Sequence, residues 1–265
     1  FWRLSVGGLA LVLGLAMIPR VTQAASPDTI SGLTVWFNAD SIGQADGADV
    51  TAWDNDAINT VDEATGPSSA ATYETGEING HAVVRFATGE GLGWEKSDNS
   101  SATWADAGLT AGMTHFAVVK PTSSDHNYAG HGNFRYVMRT TKINVSRTPN
   151  NSIGVIVTPL SDPTIHATTM SDISDGVVPT CWSSINGISS VTNTGPGTSS
   201  GLGTARVYLG NYDAGREWSG DIAEFVAYCR VLTQAEINAV GYYLGAKYGI
   251  ETAWAPVQGT VISIK

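Results

Sequence analysis

The sequence is poor in positive charge. Only 14 of its 265 residues are Lys or Arg, against 24 Asp or Glu, and the formal net charge is −10. Binding to a nucleic-acid backbone relies on clustered cations that release counterions from phosphates, and those present here are scattered, which excludes nucleic acid as a partner. The acidic surface serves solubility instead. Cysteine is scarce too. Cys181 and Cys229 are the only two, and they allow one bridge of the kind an exported protein tolerates. The alternative is two small buried hydrophobes on separate strands, because a bridge requires Cα atoms within about 7 Å. A bilayer-spanning run is missing as well. The apolar stretch from Leu4 to Ile18 falls short of the roughly 20 residues a spanning helix needs.

That stretch has another use. Arg3 precedes it, and Thr22-Gln23-Ala24 supplies small residues before a cut after Ala24, the pattern of a secretory leader. We therefore expect residues 1–24 to be a signal peptide, the mature chain to carry no membrane span, and the protein to be secreted, periplasmic or held at the cell surface. Because the chain begins with Phe1 and not Met, residues are expected to precede it.

What remains is rich in short β-type segments. Ile30 to Asp40 alternates, with Leu33, Val35 and Phe37 on one face and Thr34, Trp36 and Asn38 on the other, which predicts a half-buried strand. Ser41 to Thr75 is polar and reads as a long loop with short strand pieces, anchored by Trp53. Asn79-Gly80 and Asn186-Gly187 favour the positive dihedrals of tight hairpin turns. In Ala82 to Phe86, Val84 and Phe86 are expected to face inward, with Val83 and Arg85 opposite. Gly89 to Gly112 reads as a Trp-bearing loop, and Met113 to Lys120 as a clear strand that Pro121 ends. Tyr128 to Arg139, Ser152 to Thr158, Thr180 to Ile185, Arg206 to Gly210 and Gly220 to Tyr228 add further strand candidates. Ile188 to Gly203, rich in Ser, Thr and Gly, reads as a mobile loop.

One helix stands out. Thr233 and Glu236 form a capping box, and Leu232 with Ile237 a hydrophobic staple. Ile237, Val240 and Leu244 then make an apolar stripe, Lys247 suits the negative end of the dipole, and Gly249 is placed for a left-handed cap. Gly241 and Gly245 each cost about 1 kcal/mol in a helix interior; close approach of the helix to a sheet would explain them. Many short strands and one helix from about Thr233 to Tyr248 indicate an all-β, two-sheet antiparallel β-sandwich with a short C-terminal helix. One domain is expected over 27–250, and residues 251–265 are expected to be a tail or final strand.

The segment from Arg206 to Ile250 resembles the C-terminal end of bacterial LamG-like jelly-roll domains, of the concanavalin A-like lectin and glucanase superfamily. The blocks ISGLTVWFNAD (Ile30 to Asp40), VTAWDND (Val50 to Asp56), INGHAVVRF (Ile78 to Phe86), MTHFAVVKPTSS (Met113 to Ser124) and GDIAEF (Gly220 to Phe225) are similar to successive blocks of that family, in the same order. The resemblance implies a jelly roll and places Trp36 and Trp53 in its framework. It implies less about function, since such domains serve as binding modules, adhesion parts and enzyme appendages. Fusion to other extracellular domains is in keeping with it.

Each candidate site has a structural alternative. Glycoside hydrolysis needs two facing carboxylates, at roughly 5 to 10 Å, and the Glu-x-Asp-x-Glu run of the superfamily's glucanases is absent. Asp221 and Glu224 are three apart, so in one regular strand they would face opposite ways. Glu224 then reads as a structural carboxylate bonded to Arg85 or Arg206. Gly197 to Gly201 matches G-x-S-x-G but lacks the strand and helix that motif requires. His126 and His131 bracket Asp125, Asn127 and Tyr128 without further zinc-like ligands. Asp46, Asp49, Asp54 and Asp56, with Asp62 and Glu63, are the candidate oxygens for a Ca²⁺ ion, which takes 6–8; some LamG-like domains bind calcium, and no other cofactor is expected. Trp94, Trp104, Tyr128, Tyr136, Tyr212 and Trp218 lie in or beside loops and, with His126 and His131, make the expected ligand-binding set.

The sequence thus points to an exported, non-catalytic module, not an enzyme, that recognises a carbohydrate or glycoprotein glycan through loop aromatics and polar groups. A structural or adhesive envelope protein is the first alternative, expected to show an exposed apolar patch. A polysaccharide hydrolase or lyase with a divergent site is the second, expected to show facing titratable groups.

Overall fold

The computed structural model describes residues 25–66, 71–122, 126–131, 134–139, 142–147, 152–156, 162–171, 180–194, 206–210 and 218–255, of which 126–127, those between 131 and 156, and 189–194 by backbone only. The first half contains β1 (Leu33–Asn38), β2 (Ala48–Asp49), β3 (Ala52–Asp54), β4 (Val61–Thr65), β5 (Thr72–Ile78), β6 (His81–Phe86), β7 (Leu92–Lys96) and β8 (Gly112–Pro121). Then come β9 (His126–His131), β10 (Phe134–Arg139), β11 (Lys142–Arg147), β12 (Ser152–Ile156), β13 (Thr164–Ser171), β14 (Thr180–Ile185), β15 (Ser189–Thr194), β16 (Tyr208–Leu209), β17 (Gly220–Tyr228) and α1 (Gln234–Tyr248). Pairing is antiparallel throughout, in two sheets. The first runs β15-β14-β13-β8-β17-β6-β5-β2, with β1 also on β17, and the second β12-β11-β10-β9-β16-β7-β4-β3.

The two sheets face each other across one core, which makes the fold a β-sandwich. Val35, Phe37, Val84, Phe86 and Phe225 from the first sheet meet Trp53, Trp94, Tyr128 and Leu209 from the second. A second core lies on the outer side of the first sheet, where Ile237, Val240, Leu244 and Tyr248 of α1 pack on Val83, Phe116, Val118, Ile165 and Val226. Being covered on both faces, β8, β13 and β17 are buried along almost their whole length, and they lack a clean alternation for that reason.

The helix is built as its sequence predicts. Thr233 and Glu236 close the capping box, and Gly249 ends it at φ 64°. Asn79, Gly80, Asn186 and Gly187 all have positive φ, as the hairpin turns require. The glycine pair differs in detail from expectation: a Cβ on Gly241 would stand 2.3 Å from the Trp254 ring, and one on Gly245 2.8 Å from Thr252. The chain after the helix, and not a sheet, lies against these glycines.

Of the two alternatives for the cysteines the structure has the second, with Cys181 and Cys229 both free thiols. Other expectations need correction. Leu33 does not share a face with Val35 and Phe37, because a bulge between Leu33 and Val35 turns it toward the helix side. Tyr128 to Arg139 is not one strand but the two strands of the β9–β10 hairpin. Part of the Gly89 to Gly112 loop is β7, and Ser189–Thr194, read as loop, is β15.

Candidate functional site

The face that carries separable chemistry is the outer side of the second sheet. Along β3, β4, β7, and β16 with the residues leading into it, Trp53, Val61, Ala64, Leu92, Trp94, Val207 and Leu209 are fully buried. Their neighbours Asp54, Glu63, Glu95, Arg206 and Tyr208 are exposed or half-buried and therefore point outward.

Register then lines these residues up across strands. Asp54 stands opposite Glu63, and Glu63 opposite Glu95, so three carboxylates form one row. Like charges at directly opposed positions, with Cβ atoms about 4.5–5.5 Å apart, destabilise a sheet. Arg206 offsets part of this: its Nη2 donates to Glu95 Oε1 at 2.6 Å and to Thr65 Oγ1 at 2.8 Å. Among the described residues no cation reaches Glu63, whose pKa is raised by burial first and then by the charges of Asp54, Glu95 and Asp62. A carboxyl with increased proton affinity thus sits beside a carboxylate held by a guanidinium.

The adjacent row is floored by small residues. Thr65 pairs with Gly93, Gly93 with Tyr208, and Tyr208 with Gly130. Arg206 lies over Gly93, where a Cβ would come within 2.2 Å of its Nε, and its guanidinium covers one face of the Tyr208 ring at 5.6 Å. On the other side the paired residue is glycine. Strands being about 4.8 Å apart, the five strands β3, β4, β7, β16 and β9 give a strip of about 19 Å, with the Tyr208 ring in it.

The expected ligand-binding set does not assemble. Trp94, Trp104, Trp218 and Tyr128 are fully buried. Trp94 and Trp104 meet edge to face at 5.0 Å, as do Tyr128 and Trp218 at 5.9 Å, so their faces belong to the core and cannot stack on a sugar. Trp94 and Tyr128 point inward from β7 and β9, and Trp104 and Trp218 turn inward from the segments between strands. His126 and His131 lie in β9 and Tyr136 in β10, strands and not loops, while Tyr212 and the Gly197 to Gly201 motif fall outside the described residues. The residue that sequence reasoning misses is Tyr208. Its signal is the alternation of Arg206 and Tyr208 with apolar Val207 and Leu209.

The acidic residues are divided between the sheets. Asp49 lies in β2 at the edge of the first and Asp54 in β3 of the second, and Asp46, just before β2, accepts through Oδ1 from the Thr75 amide at 2.7 Å and hydroxyl at 2.8 Å. Among the described residues no three His, Cys, Asp or Glu are grouped to hold a metal.

Asp221 and Glu224 share a face after all. A bulge between Ile222 and Glu224 leaves Ile222 in the inter-sheet core and turns Ala223 and Glu224 to the helix side. There Asp221 accepts two bonds from Arg85 at 2.7 and 3.0 Å. Glu224 accepts from Trp36 Nε1 at 2.7 Å, Lys247 Nζ at 2.8 Å and the Tyr248 hydroxyl at 2.8 Å, and not from Arg85 or Arg206. Lys247 also bonds Asp40 at 3.1 Å, and Asp40 bonds His81 at 2.8 Å. Both carboxylates are completely buried and anchor strands and helix.

No protein-family model matches the chain, and no curated protein does. Solved structures do. Trypanosoma rangeli sialidase in complex with sialic acid matches with a TM-score of 0.53 at 13% identity, over 82% of this chain and 33% of that one. Domain 4 of AbnA, a GH43 extracellular arabinanase from Geobacillus stearothermophilus, in complex with arabinotriose, matches with a TM-score of 0.51 at 18% identity, over 79% and 98%. The binding domain of Paraclostridial Mosquitocidal Protein 1 matches with a TM-score of 0.53 at 9% identity, over 82% and 52%. The chain thus spans about a third of the length of the sialidase it matches. At these identities the likeness is one of fold.

One expectation is overturned here. A chain that is not an enzyme was expected, yet the fold is shared with about a third of a sialidase and with a domain of an arabinanase. Spacing along single strands does not reveal the carboxylates that face each other, because Glu63 and Glu95 are opposed across two. Among the described residues no helix is long and apolar enough to cross a membrane.

Proposed function

We propose that this chain is an exported jelly-roll domain of LamG-like type that binds a carbohydrate on the outer face of its second sheet. The observation that carries the reading is Tyr208, with Arg206 against one face of its ring and glycine as the paired residue on the other side. A pyranose C–H face would stack on the open side. Glu95, Glu63 and the Thr65 hydroxyl would then fix its hydroxyls, the usual division between an apolar platform and a few polar groups. The leader expected over residues 1–24 would deliver the domain to the side of the membrane where polysaccharides are found.

The test is a polysaccharide and glycan panel probed with the 25–265 chain and its Tyr208→Ala variant. Specific binding that weakens at least tenfold in the variant, with unchanged thermal stability, is the expected result. Equal binding by both proteins would refute the site.

A second reading rests on the Glu63 and Glu95 pair. Cβ atoms about 4.5–5.5 Å apart can bring carboxyl groups to the roughly 5–5.5 Å of a retaining glycosidase, with Glu63 as proton donor. Release of reducing ends from a polysaccharide by the natural chain, abolished by Glu95→Gln at unchanged thermal stability, would establish it.

A further inference from the structure

A groove of about 580 Å³ opens at the C-terminal end of α1, on the opposite sheet from Tyr208. Its size is within the ordinary range for small-ligand sites, about 300–1,000 Å³. Tyr248 and Gly249 of the helix end, the Asn79 turn, the Asn186 to Ile188 turn, Asp162 and Glu251 converge on it.

Two of its three acids have no cation partner among the described residues. Asp162 and Glu251 are both exposed, and neither takes part in an ion pair among the described residues. The third acid of the lining, Glu77, is neutralised by Arg85 at 3.0 Å and Lys120 at 3.7 Å. The negative end of the helix dipole is directed there as well. Lys247, the cation of the last turn, is turned away to Glu224 and Asp40. Beside this charge stands Ile188, 66% exposed. The Asn186 Oδ1 accepts from the Ile165 amide at 2.7 Å, which fixes the side chain at the groove.

We propose that this groove is a second binding site, for an amine-bearing saccharide of the deacetylated amino-sugar class, and that it rejects acidic sugars. A metal ion is a poorer occupant, since two carboxylates are far from the 6–8 oxygens of calcium. An ammonium needs only charge and hydrogen-bond acceptors, and Ile188 with Pro163 supplies a wall for the body of the sugar. The saccharide identity rests on the carbohydrate reading above. The positive charge rests on the groove alone.

The experiment is calorimetric titration of the 25–265 chain with glucosamine oligomers, their N-acetylated counterparts, galacturonate oligomers and cadaverine. It is repeated on Asp162→Asn/Glu251→Gln and on Tyr208→Ala. Expected are binding of the glucosamine oligomer, at least tenfold weaker binding of the acetylated oligomer, none of the uronate, and loss in the double variant but not in Tyr208→Ala. Equal affinity for acetylated and free amines, or full binding by the double variant, would overturn the groove site while leaving Tyr208 untouched. Cadaverine binding as tightly as the oligomer would overturn the saccharide assignment. If the Tyr208→Ala panel fails while the amine still binds the groove, the first reading falls and the charge argument stands.

Discussion

Acid should weaken this fold well before its carboxylates are protonated. His115 and His166 are both completely buried in the first sheet, with the Tyr128 hydroxyl between them, 3.0 Å from His115 Nε2 and bonded to His166 Nδ1. His166 Nε2 meets the Ser183 hydroxyl at 2.8 Å. Burial lowers the pKa of His166 from 6.5 to about 3, and burial together with the neighbouring His166 lowers that of His115 well below 6.5. Between pH 6.5 and 3 the unfolded chain takes a proton that folded His166 refuses. Stability is therefore complete above about pH 6.5 and falls by about 1.4 kcal/mol per unit below it. From pH 7 to 5 the loss from His166 is about 2 kcal/mol, and His115 adds to it in the same direction. The lowered carboxyls of Asp40 and Glu236 start from 3.8 and 4.5 and act below this window. The raised carboxyls of Asp56 and Glu63 act in the opposite direction, so the comparison is made with a variant. Urea unfolding followed by tryptophan fluorescence at both pH values, on the natural chain and on His166→Gln, should show a pH loss smaller by about 2 kcal/mol in the variant. Should the variant fail to fold, the His166 ring resonances of the natural chain should not titrate between pH 7 and 5. Equal losses in both proteins, or a titrating ring, would refute the argument.

Lys247→Met should cost about 3–5 kcal/mol in chemical denaturation, because it strands the buried Glu224; a loss under 1 kcal/mol would mean that Trp36 and Tyr248 suffice. Gly241→Ala should destabilise by about 1–2 kcal/mol, the overpacking against Trp254 exceeding the helix-propensity gain, whereas in a Trp254→Ala background the same change should be neutral or stabilising. Thr233→Ala should lower stability by about 1 kcal/mol through loss of the N-cap bond to Glu236, read as a shift in urea midpoint at unchanged slope. Asp162→Asn/Glu251→Gln should leave stability within about 0.5 kcal/mol, both side chains being at the surface.

Local chemistry was legible where it was self-contained. The capping box at Thr233 and Glu236, the Gly249 cap and the two Asn-Gly turns each depend on a few adjacent residues, and each forms as its sequence implies. The site was hidden because it is made by register. That Asp54, Glu63 and Glu95 stand in one row, or that Tyr208 has glycine on both sides, depends on which residues pair across strands far apart in the chain. Bulges defeated the alternation argument at Leu33 and at Glu224 by inserting one residue and so moving the next side chains of the strand to the other face. The aromatics misled because Trp94 is in β7 and because position in a loop says nothing of burial; Trp94, Trp104 and Trp218 fill the space between the sheets.

The shortness of β16 has a mechanical consequence. In the second sheet it joins β9 to β7 with two residues, Tyr208 and Leu209, so this layer consists of two stiff plates welded along one narrow seam. The ring that would receive a sugar is part of the weld. A ligand lying across the seam would brace both plates at once, and amide exchange at Leu209 and at Gly210, whose N–H donates to the Tyr128 carbonyl at 2.9 Å, would slow more on binding than exchange in either plate. Occupancy of the surface would then be felt as rigidity of the whole layer.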